Sequence, residues 1–158
     1  MTHAHQRLPT SLCTIETYPL PCLRGNAEEQ LTKGQFDLVG PVVEEFVFSE
    51  QFRISDQAPA LLELVRFAHE PSTDEILRTF ALMGFTPPHE EDALRFGAAL
   101  ASQTYPVPVV FLHTDNLWRV PGSREQVCVV DLSQRRRLYS IWYRNNWGKR
   151  YIFAARKH

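Results

Sequence analysis

The spacing of apolar residues changes character near Pro106. Before it, most recur every three or four positions, the period of a helix face. After it, they fall in short runs cut by turn residues. Residues 1–25 carry Pro9, Pro19 and Pro21 and no sustained periodicity. They read as an arm with one short strand over Leu12–Thr17, where Leu12, Thr14 and Glu16 alternate with Cys13, Ile15 and Thr17. Asn26 is placed to cap a helix over Ala27–Lys33, with Gly34 ending it in the left-handed conformation. After Gly40-Pro41 the pattern fits two elements. Val42, Val43, Phe46 and Val47 share a helix face, whereas Phe46, Phe48, Phe52 and Ile54 share a strand face. Pro41, suited to a first helical turn, favours a helix over 41–51.

Three further helices follow from the pattern. One starts at Ser55 or Asp56, carries Leu61, Leu62, Leu64, Val65 and Ala68 on its apolar side, and stops at Pro71. Ser72-Thr73-Asp74-Glu75 is a capping box that opens the next, running through Ile76, Leu77, Phe80, Leu82 and Met83 to Gly84. Thr86-Pro87-Pro88 opens the last. Its Glu90, Glu91 and Asp92 stand near the positive end of the helix dipole, and Ala93, Leu94, Phe96, Gly97 and Leu100 form its apolar side.

Beyond Pro106 the predicted strands are Val107–His113, Leu117–Val120, Val127–Leu132, Arg137–Arg144 and Lys149–Arg156, with a type II turn at Pro121-Gly122. The expected class is α+β: an N-terminal helical half followed by a roughly five-stranded antiparallel meander. It forms a single domain over 26–158 behind the arm of residues 1–25, helical over 26–104 and β over 105–158. Asn145-Asn146-Trp147-Gly148 matches a type I turn with a glycine bulge, pairing Asn145 with Lys149. In that register Tyr143/Tyr151, Ile141/Phe153 and Tyr139/Ala155 cover the core. Arg144/Arg150, Trp142/Ile152 and Leu138/Arg156 fall on the other face.

Composition adds bounds. The 158 residues are 44% hydrophobic and 22% charged, as in an ordinary globular domain. No apolar run approaches the roughly 18–20 residues of a membrane helix, and the N-terminus lacks the apolar stretch of a signal peptide. Cys13, Cys22 and Cys128 are odd in number and widely spaced, which fits reduced thiols in the cytoplasm.

Charge changes the picture most. Residues 1–116 hold 7 Lys/Arg against 16 Asp/Glu, whereas residues 117–158 hold 10 Lys/Arg against Glu125 and Asp131 alone. The basic end also gathers Trp118, Tyr139, Trp142, Tyr143, Trp147, Tyr151 and Phe153. Such a segment suits an anionic partner, or an internal contact between the acidic and basic parts. Guanidinium groups bind anions through paired donors and indole offers a stacking surface. The candidate binding residues are therefore Trp142, Arg144, Arg150, Arg156 and Trp147, with Arg135-Arg136-Arg137 as an extension. The competing reading gives these arginines partners inside the fold, among them Glu44, Glu45, Glu63 and the Glu90–Asp92 cluster.

The expected function is a non-enzymatic binding module whose partner is an acidic protein surface. The first alternative is single-stranded nucleic-acid binding by the same face, with bases stacking on Trp142 and Trp147. The second is a small enzyme using His113 and Asp115 as a histidine–carboxylate pair. Cys128, flanked by valines, reads as a small buried hydrophobe. His89 with the three acids after it, and the terminal His3 and His5, match no zinc spacing, so no metal or cofactor is expected. The helix–turn–helix over 72–102 would meet DNA with three acids and Arg95 alone, which excludes a phosphate-reading helix.

Overall fold

The computed structural model describes residues 13–52 and 54–157; the His3/His5 pair and Leu12 lie outside them. Seven strands form one sheet: β1 (Cys13–Leu20), β2 (Leu38–Val39), β3 (Ala60–Phe67), β4 (Val109–Phe111), β5 (Gln126–Asp131), β6 (Arg137–Trp142) and β7 (Ile152–Lys157). Their order across the sheet is β1-β3-β7-β4-β5-β6-β2. The β4–β7 and β2–β6 pairs are parallel and the others antiparallel. The four α-helices are α1 (Ala27–Lys33), α2 (Pro41–Val47), α3 (Thr73–Met83) and α4 (Glu90–Ala99). Among the described residues no helix is long and apolar enough to cross a membrane.

The expected five-stranded antiparallel meander is therefore replaced by a seven-stranded mixed sheet. There is no separate helical half either, because β1, β2 and β3 are interleaved with the helices. The core of the segment read as a helix from Ser55 to Pro71 is β3, over Ala60–Phe67. Its neighbours β1 and β7 pair it on both sides, and both faces are covered. Leu62 and Leu64 face one core cluster, Val65 and Phe67 the other. A strand buried on both faces is apolar nearly throughout, so its period does not separate it from a helix.

The Asn145–Lys149 hairpin is also overturned. β7 inserts between β3 and β4, with Leu64 opposite Ala154 and Val110 opposite Phe153, while β6 pairs with β5. The connecting segment folds back on the start of α3: the Trp147 amide donates to the Pro71 carbonyl at 2.9 Å. Its indole Nε1 donates to Thr73 Oγ1 at 3.0 Å, with the ring fully buried. Placing β7 centrally buries Ile152–Ala155 on both sides, a larger apolar gain than a terminal hairpin offers.

Smaller differences follow local chemistry. The strand expected at Leu117–Val120 reduces to one bridge, Trp118 with Gln126. α2 stops at Val47 rather than at 51. Gly34 is right-handed at φ −66, and the left-handed residue is Gln35 at φ 50. The caps hold elsewhere. Asn26 accepts from the Glu29 amide, Ser72 from the Glu75 amide, and Gly84 ends α3 at φ 74.

One sheet face carries α1, α2 and α4; the other carries α3 and the aromatic rings of Tyr143, Trp147 and Tyr151. α4 is buried almost all round, its first-turn acids included. Each acid holds a different element against the helix. Glu90 Oε2 accepts from Asn116 Nδ2 at 2.7 Å and from Trp118 Nε1 at 3.0 Å. Glu91 Oε1 accepts the amides of Ser55 and Asp56. Asp92, fully buried, takes both hydrogen bonds of a fork from Arg156 of β7, each 2.7 Å.

Candidate functional site

The five candidate residues do not share one face. Arg156 is 5% exposed, its Nη1 also reaching Asp56 Oδ2 at 3.1 Å, so it belongs to the interior. Trp147 is core. Arg150 lies on the other side of the sheet from Arg156, stacked 4.7 Å over the Tyr151 ring and donating to its hydroxyl at 2.6 Å. Near it, Arg137 covers Tyr139 and pairs with Asp131 at 2.5 Å. Burial, with Tyr151 and Asp131 nearby, pushes the Tyr139 phenol up to about 12. Arg136 does not extend this surface. Its guanidinium donates to the carbonyls of Gly34, Gln103 and Gly97, tying the ends of α1 and α4 to the β5–β6 turn.

Trp142 and Arg144 do stay together. They line a groove of about 410 Å³ with Ser72, Thr73, Asp74, Arg124, Asn145 and Asn146, between the start of α3 and the end of β6. Trp142 is 48% exposed, whereas Trp118 and Trp147 are buried. The Arg124 guanidinium sits 4.4 Å over its ring. Arg144, well exposed, stands 3.5 Å from Asp74. Two cations and an indole surface thus face solvent against one carboxylate.

Sequence reasoning missed Arg124, although a signal existed. Gln126 pairs with Trp142, so Arg124, two residues earlier, falls on the same side and diagonal to the indole. Drawing the β5–β6 register through the Ser133–Arg136 turn would have found it.

His113 and Asp115 line a second cleft, of about 430 Å³, with Gln51, Ser55, Pro88, His89, Glu90 and Asn116. His113 itself is 1% exposed, and both ring nitrogens are engaged. Nδ1 bonds the Asn116 carbonyl at 2.9 Å, and Nε2 accepts the Cys128 amide at 3.1 Å. Burial lowers its pKa to about 4, against smaller opposing effects from backbone hydrogen bonds and Asp92. The ring is a neutral bridge between the end of β4 and β5, with no lone pair facing the cleft. Among the described residues no hydrogen bond or ion pair joins it to Asp115. No group of three or more metal-ligating side chains converges among the described residues.

The fold and this geometry define an α+β domain with a helix-covered mixed sheet and a basic aromatic groove at one end. No family model matches the chain, and neither does any curated protein or solved structure.

Proposed function

We propose that this chain is a non-enzymatic binding module whose contact surface is the Trp142–Arg124–Arg144 groove, and that its partner is an acidic segment of another protein. The observation that carries the proposal is the half-exposed indole with a guanidinium on its face, in a chain that buries its other two tryptophans. Tryptophan and arginine dominate the energetics of protein interfaces, and an arginine already stacked loses less freedom when it meets a carboxylate. The acidic balance of residues 1–116 works against a long nucleic acid, whose phosphates would approach that surface too. A cytoplasmic setting goes with this reading, since the three cysteines stand unpaired.

The test is a titration of fluorescein-labelled acidic peptides of mixed Glu, Asp and aromatic content, alongside oligo-dT of equal charge. Acidic peptides should bind and shift the Trp142 emission. Trp142→Ala or Arg124→Glu should weaken them by about tenfold or more, since about 1.4 kcal/mol corresponds to tenfold. Preferential binding of oligo-dT, weakening steeply with salt, would assign the groove to single-stranded nucleic acid instead.

A further inference from the structure

A third cavity, on the opposite side of the charge pattern, has chemistry of its own. It measures about 460 Å³ and lies between the loop after β1, α1 and the C-terminal half of α4. Pro21, Leu23, Ala98 and Ala99 give it apolar walls, and Arg24, Lys33 and Arg95 give it charge. Among the described residues lining it none is acidic. The three cations are drawn from only seven in residues 1–116, a stretch holding 16 carboxylates, so their convergence runs against the local composition.

Arg24 and Lys33 are not used up inside the fold, and Arg95 is used in part. Neither Arg24 nor Lys33 makes an ion pair among the described residues; the Lys33 ammonium donates to the Arg24 carbonyl at 3.2 Å. Arg95 is 3% exposed. Its Nη2 donates to the carbonyls of Pro21 and Ala58, and its Nη1 donates to the Asp56 carbonyl at 3.4 Å and stands 3.8 Å from Asp92. Asp92, however, is already taken by the Arg156 fork, and Arg95 Nε is buried without a hydrogen-bond partner. A buried guanidinium donor left unpaired costs free energy unless something completes it.

We propose that this groove binds a small carboxylate with an apolar body, the head meeting Arg24, Lys33 and Arg95 and the body lying on Pro21, Leu23, Ala98 and Ala99. The volume is in the range of small-ligand pockets, which combine apolar walls with a few convergent polar groups. The site is separate from the Trp142 groove and does not depend on it. Cys22, the exposed cysteine of the three, lines the same groove and supplies a readout.

The experiment uses decanoate as the probe, with decanol and inorganic phosphate as comparison arms. Binding is followed by calorimetry, and the rate of Cys22 labelling by a disulfide reagent is followed in parallel. Decanoate is expected to bind one per chain and to slow Cys22 labelling about fivefold or more at saturation. Arg24→Glu with Lys33→Glu, both at exposed positions, should weaken it about tenfold or more, a loss of about 1.4 kcal/mol. Arg150→Glu, remote from the groove, should leave it unchanged. Three results would overturn the proposal: decanol binding as tightly as decanoate, phosphate alone protecting Cys22 equally, or the double variant binding decanoate like the parent.

Discussion

Replacing Arg156 by methionine keeps the length of the side chain and removes its charge. In the folded protein Arg156 gives Asp92 two hydrogen bonds of 2.7 Å and Asp56 a third of 3.1 Å. Asp92 is fully buried, so Arg156→Met leaves its carboxylate with the His89 amide at 2.8 Å and Arg95 at 3.8 Å. Breaking a buried ion pair from one side costs about 3–5 kcal/mol, chiefly because the remaining charge stays desolvated. For a domain of this size that corresponds to a fall in Tm of about 6–20 °C. The cost should lessen when the carboxylate goes as well. In Arg156→Met/Asp92→Asn the loss should fall short of the two single losses added together by about 1–3 kcal/mol. Urea unfolding of the four proteins in the cycle measures this, and the coupling should change little between low and high salt because the pair is buried. A cost under about 1 kcal/mol for Arg156→Met, with additive singles, would refute the pairing as the element that holds β7 to α4.

Other expectations follow from the same contacts. His113 is neutral when folded and its pKa falls from the ordinary 6.5 to about 4, so its contribution is present above pH 6.5 and is lost as pH drops toward 4. That contribution is about 3 kcal/mol, and a ring titrating near 6.5 by NMR would contradict it. Thr73→Val strands the Trp147 indole N–H and the Asn145 amide, both of which Thr73 Oγ1 accepts, and should cost about 1–3 kcal/mol in urea unfolding. Gly97→Ala would drive its Cβ into the Phe36 ring and should lower Tm as Phe36 is displaced. Acrylamide should quench the emission of Trp142 but not that of Trp118 or Trp147, and Trp142→Phe should abolish the quenchable part.

Local signals carried well from sequence to structure. The Asn26 and Ser72 caps and the Gly84 ending fixed α1 and α3 within a residue or two, because each depends on groups only a few positions apart. The strands β5, β6 and β7 were legible as short apolar runs between turns. Their partners were not. β7 pairs with β3, some ninety residues earlier, and nothing in the Asn145–Gly148 segment records that preference. The candidate face inherited the same error. The Asn145–Lys149 register assigns Trp142, Arg144, Arg150 and Arg156 alike to one outer face. Trp142 and Arg144 remain at the surface because β6 ends beside Gln126 of β5, whereas Arg156 and Trp147 turn inward. Their burial depends on Asp92 and Thr73, which only the tertiary fold brings near.

The contrast between an acidic body and a basic end is consequently not a contrast between two surfaces. Inserting β7 into the middle of the sheet carries Arg156 to the acidic first turn of α4, where it answers Asp92 and Asp56. Arg136 is spent on helix-end carbonyls and Arg137 on Asp131. What remains at the surface includes Arg124, Arg144 and Arg150, and each lies against an aromatic ring: Trp142, Tyr143 and Tyr151. A stacked guanidinium keeps its edge donors free while its plane is held, so it meets a carboxylate partly ordered. The interior contact inferred from charge is made by Arg156, and the proposed binding surface draws on different arginines. Neutralising Arg156 should disturb folding, whereas neutralising Arg124 should disturb binding and leave stability nearly unchanged.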